Sequence, residues 1–173
     1  MAHRLADRPT LVFTLNARHY AILAPDTLEQ RMAVSTELAQ LAESSGDEEL
    51  ALQSLPWRLA DLLDLGQVQA ADEAVETSAH LAEKLRQPLY LWYIGVFRAL
   101  RALMKGDFEA GEQLARAAHT LGQRVQPGAA DVYLGAQLFM ARWEQGRLAE
   151  LEQTFTKLTE CYPAMPVIRC MRT

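Results

Sequence analysis

The sequence predicts an all-α fold, a right-handed α-α superhelix of about four helical hairpins plus the start of a fifth. Three observations carry that reading. Gly66, Gly106 and Gly146 lie 40 residues apart, each followed two positions later by an apolar residue, Val68, Phe108 and Leu148. Other columns share the period: Leu41-Ala42-Glu43 returns as Leu81-Ala82-Glu83, and Arg18 returns as Arg58 and Arg98. In the second half of each period apolar residues recur every three or four positions, as in Val68, Ala71, Val75, Ala79 and Ala82. That is the stripe of an amphipathic helix, not the alternation of a strand.

Glycine just past a helix end accepts the left-handed conformation that terminates it, so each period reads as two helices parted by its glycine. First helices are expected at 9–23, 47–65, 88–105 and 129–145, and second helices at 26–44, 67–85, 107–125 and 147–162. Short turns at 45–47, 86–88 and 126–128 join the hairpins. The repeats then run 8–45, 46–85, 86–125 and 126–163 within a single domain, and 164–173 opens a further helix. Terminal repeats normally carry a polar cap. A chain that stops inside a hairpin is therefore expected to be a fragment of a longer protein, with an open end through which it dimerises. Two features conflict with uninterrupted helices. Gly95 and Gly135 each cost about 1 kcal/mol inside a helix, which predicts close helix approach there. Pro56 is expected to kink its helix or to mark where the helix restarts.

With 50% apolar and 23% charged residues, the 173-residue chain has the composition of a folded domain. No apolar run nears the ~18 residues that span a bilayer, and the first residues lack the apolar stretch of a signal peptide. A cytoplasmic location without membrane contact is expected. Cys161 and Cys170 fit neither a disulfide framework nor a four-ligand zinc site and read as reduced thiols. The net charge of -5 opposes direct nucleic-acid binding. GxxxxGK[ST], GxSxG, HExxH and CxxC motifs are absent, and His3, His19, His80 and His119 are scattered. His19 reads as a helix-surface or groove residue, and Asp61 and Asp64 as facing solvent or pairing with Arg58. No catalytic residue, metal or cofactor is expected.

Gly106-Asp107-Phe108-Glu109-Ala110, with Gly111 and Ala118 after it, resembles the turn pattern of the tetratricopeptide (TPR) repeat. The standard repeat is shorter by six residues, which adds about 9 Å of helix per hairpin at about 1.5 Å per residue. Its first-helix signature is poorly kept, since Leu59, Ala99 and Phe139 share one column. From about Arg8 to Pro166 the chain is similar to the superhelical region of large bacterial signal-transduction ATPases, including LuxR-family activators of the maltose-regulator type. The resemblance implies a non-catalytic sensory or scaffold region of a transcriptional or signalling regulator that binds a protein, a peptide or a small effector. The alternative is a stand-alone TPR adaptor or chaperone-like protein.

A binding surface is sought on the first helices, which line the concave side of such a stack. The second helices carry most of the negative charge, and the first helices are nearly neutral. A stripe of Arg18, Arg58, Arg98, Arg101 and Arg142 recurs at helical spacing. It points either to a groove for an anionic partner held by planar guanidinium groups or to ion pairs that stabilise the stack. Aligning the turn glycine with the standard repeat instead places Tyr93 and Tyr133, with Tyr20 and Trp143, on the concave side. The aromatic residues of the third first helix read as core, with amphipathic Trp92 and Tyr93 the alternative candidates for binding anchors.

Overall fold

A computed structural model describes residues 8–162 as eight α-helices, with no strand among the described residues. They are α1 (Arg8–Ala21), α2 (Leu28–Ser45), α3 (Glu48–Asp64), α4 (Val68–Lys84), α5 (Pro88–Met104), α6 (Phe108–Val125), α7 (Pro127–Glu144) and α8 (Glu152–Cys161). The helix expected over 164–173, together with Cys170 and His3, lies outside the described residues. No described helix is long and apolar enough to cross a membrane. Two boundaries differ from expectation. Single 3-10 turns, Pro25–Thr27 and Leu148–Leu151, precede α2 and α8, which therefore start later than the spacing predicts.

The turns repeat as one object. Gly46, Gly66, Gly106 and Gly146 all have positive φ, and Arg86 takes the same left-handed conformation at φ 51°. At each of these turns the N–H of the following residue bonds back to a carbonyl five positions earlier: Asp47 to Ala42, Gln67 to Leu62, Gln87 to Ala82, Asp107 to Ala102 and Arg147 to Arg142. This is the Schellman closure of a helix C-terminus. The period visible in the sequence is thus halved to 20 residues, one helix and one turn. At the corresponding position Gln126 has a negative φ of -151°, and Pro127 opens α7. Two following helices are capped by side chains: Asp47 accepts from the N–H of Glu49 and Leu50, and Asp107 from that of Ala110. Such a cap contributes about 1 kcal/mol.

The chain divides into two compact units, one ending at Tyr90 and the other beginning at Leu91 within α5. In the first unit α1 packs on α2, α2 on α3 and α3 on α4. Leu11, Leu15, Val34, Leu38, Ala42 and Leu50 form one core cluster. Helix α3 runs through Pro56 without a restart. Leu52, Leu55, Leu59 and Leu62 are buried on both sides of the proline. Each contributes about 1.5–3 kcal/mol, which outweighs the ~3 kcal/mol of one interior proline.

In the second unit α6 packs on α7, and Leu138, Leu151 and Phe155 gather α7 and α8 around a smaller cluster. The interior glycines of the first helices sit at close approaches. A Cβ on Gly95 would lie 3.0 Å from that of Ala118, and one on Gly135 would lie 2.9 Å from Leu158 Cδ1. Hydrogen bonds also link successive first helices at nearly one period. Trp57 Nε1 donates to Asn16 Oδ1 at 2.9 Å in the first unit, and Gln137 Nε2 to the Val96 carbonyl at 2.7 Å in the second.

Candidate functional site

A hollow of about 700 Å³ in the first unit lies among α2, α3 and α4. One face of α4 forms a wall through Ala70, Glu73, Ala74, Thr77, Ser78 and Leu81, the spacing that puts residues on one side of a helix. Ala39 and Ala42 of α2 and Ala51 and Ser54 of α3 face it, so small side chains line most of its length. The rim is acidic. Glu43, Asp47, Glu48 and Glu73 line the hollow against the single cation Arg58. Glu48 is held at 2.6 Å by Lys84, while Asp47 is engaged in its cap.

Deeper in the same unit lies a buried polar network that sequence reasoning missed. His19, Arg31, Ser35 and Asp61 have almost no solvent exposure. Asp61 is its centre. Its Oδ2 accepts from His19 Nε2 at 2.8 Å and from Ser35 Oγ at 3.0 Å, and its Oδ1 from Arg31 Nη1 at 2.9 Å. Trp57 stacks against His19 with ring centroids 4.8 Å apart. Arg31 Nη2 also reaches Asp64 at 2.7 Å. The expectation that Asp61 faces solvent or pairs with Arg58 is corrected: Asp61 is enclosed and its cation is Arg31. His19 likewise is not a surface residue. Burying Asp61 without a fixed cation would be prohibitive, which is why the partner comes from within the core. A signal existed in the sequence, since Arg31 and Ser35 occupy the buried stripe of α2 with Val34, Leu38 and Ala42.

The predicted site residues fall in both units. Arg18 and Arg58 are exposed on α1 and α3, and Arg58 alone of the two lines the hollow. Arg98 is exposed on α5, and Arg101 Nη1 lies 3.7 Å from Met104 Sδ. Arg142 is ion-paired, to Glu112 at 2.6 Å and Glu150 at 3.2 Å. Burial alone would raise Glu112, but hydrogen bonds from Arg116 and Arg142 outweigh it and hold its carboxyl below the ordinary range. Trp92, Tyr93 and Tyr133 do come together. The Trp92 ring centroid is 4.5 Å from that of Tyr93 and 5.6 Å from that of Tyr133. Trp92 is fully buried, while Tyr133 is 41% exposed. Burial pushes both tyrosine hydroxyls up, and Tyr133 adds to the effect on Tyr93.

A second polar cluster joins α6, α7 and the residue after α8. Asp131 accepts from His119 Nε2 at 2.8 Å, Gln123 Nε2 at 2.6 Å and the Tyr162 hydroxyl at 2.8 Å. Burial would raise Asp131, but its three donors, His119 and Tyr162 foremost, hold it low. This cluster ties α6, α7 and the end of α8 to one another. Compared with known proteins, the chain matches no protein-family model, no curated protein and no solved structure.

Proposed function

We propose that this chain is a non-catalytic, TPR-like protein-binding region of a bacterial transcriptional or signalling regulator, acting in the cytoplasm, whose hairpins continue as a right-handed superhelix. The observation that carries the binding role is the groove among α2, α3 and α4, lined largely by small side chains and acid at its rim. Small residues let a partner helix approach closely, and the rim favours a basic segment. That charge makes the groove's partner basic rather than the anionic partner to which an arginine stripe alone would point. The regular turns support the family reading, and the exposed thiol of Cys161 suits a reducing compartment. The exposed Phe13 and Tyr20 of α1 suit the proposed dimerisation through an end of the stack.

The test fills the groove. Thr77→Trp with Ala70→Trp replaces two exposed wall residues without touching the core. Proteins captured by the wild-type chain from a native lysate are expected to be lost from this variant at unchanged melting temperature. Undiminished capture would reject the groove.

A further inference from the structure

A smaller hollow of about 360 Å³, at the other end of α3, is lined by Leu23, Ala24, Leu28, Arg31 and Asp64. It is separate from the protein-binding groove in both residues and chemistry. Arg31 is buried, with its side chain 3% exposed, and its Nη1 is fixed on Asp61. Its Nε is buried and has no hydrogen-bond partner. Nε–H and Nη2–H form the side edge of a guanidinium, the edge that takes both oxygens of one carboxylate. Asp64 fills that edge only in part. One of its oxygens reaches Nη2 at 2.7 Å, and its side chain is 54% exposed. Arg31, which carries this orphaned buried donor, therefore lines a hollow beside a half-exposed carboxylate, and the remaining lining residues are apolar.

We propose that this hollow binds a small aliphatic carboxylic acid, whose carboxylate displaces Asp64 from Arg31 and engages Nε and Nη2 together, while its tail packs on Leu23, Ala24 and Leu28. The exchange replaces one negative charge with another, so it adds no uncompensated charge to the buried site, and the released Asp64 is hydrated. The ligand also satisfies a donor that otherwise stays unpaired. Arg31 and Asp61 lie on α2 and α3, so a small effector here acts on two of the three helices that wall the groove.

The probe is 4-methylpentanoate, followed by NMR at the Arg31 Nε–H resonance of the full chain, with 4-methylpentanamide as its uncharged counterpart. The acid is expected to shift that resonance saturably and the amide is not. Asp64→Ala removes the competing carboxylate at an exposed position and is expected to tighten binding about tenfold, the equivalent of about 1.4 kcal/mol. Leu23→Asp, also at an exposed position, is expected to weaken it by a similar factor. No shift in either the wild type or Asp64→Ala would overturn the proposal. So would an equal response to the amide, or an affinity that Asp64→Ala leaves unchanged or lowers.

Discussion

His19 and Asp61 meet at 2.8 Å with both side chains wholly withdrawn from solvent, which makes the junction of α1 and α3 polar in its centre. The same carboxylate holds Arg31 and Ser35, so three helices depend on one group. Asp61→Ala leaves a buried guanidinium and imidazole without their acceptor. A loss of about 3–5 kcal/mol is expected, measured by urea unfolding. A change below about 1 kcal/mol would mean that the network contributes little.

Trp92 Nε1 lies where it would stand 2.6 Å from a Cβ on Gly122, and Ala130 Cβ stands equally near. Gly122→Ala gains about 1 kcal/mol in helix propensity but has to displace a fully buried indole. A net destabilisation of about 1–2 kcal/mol is expected, with altered Trp92 fluorescence. Unchanged stability would show that α6 and α7 part easily.

Among the described residues Arg86 is the one non-glycine residue in the left-handed turn position, and its side chain is exposed. Arg86→Gly removes the strain of a Cβ there and loses no packing. A gain of about 0.5–1 kcal/mol is expected in thermal unfolding, net of the extra freedom of glycine in the unfolded chain.

Glu112 is held below its ordinary value in the folded chain. Its contribution to stability is therefore present above the unfolded-state pKa of about 4.3 and is lost as pH falls through the lower folded value. The melting temperature of the wild type should drop over that acid interval. Glu112→Gln should lie below the wild type at about pH 6 and converge with it near pH 3. Parallel curves would remove Glu112 from the acid response.

Phe13 is 75% exposed and Tyr20 69% exposed, seven residues apart on α1. If the stack dimerises through this helix, Phe13→Ser with Tyr20→Ser should shift sedimentation of the concentrated protein to the monomer. A wild-type chain that is already monomeric would reject the idea.

Much of the fold was legible because its turns are written in glycine. Gly66, Gly106 and Gly146 mark conformations that few other residues accept, and Asp47 and Asp107 cap the helices that follow Gly46 and Gly106. Arg86 escaped this reading because its strained conformation has no compositional mark. The late starts of α2 and α8 come from 3-10 turns, which share the apolar spacing of a helix end. Pro56 misled in the other direction, since a local rule about proline ignores the leucines that bury around it. The polar core was harder still. Arg31 and Asp61 are 30 residues apart, and nothing in either neighbourhood announces the other. The sequence offered a single trace, a charge set in an apolar stripe.

Because five turns share one geometry at multiples of 20 residues, the chain has a grammar for insertions. Within a unit, adding or removing one helix with its turn reverses the direction of the helices that follow. Adding or removing two restores it. Lineages of this protein should therefore differ in length by whole pairs of helices, with odd steps confined to the turn at Gln126, where the shared geometry is already broken.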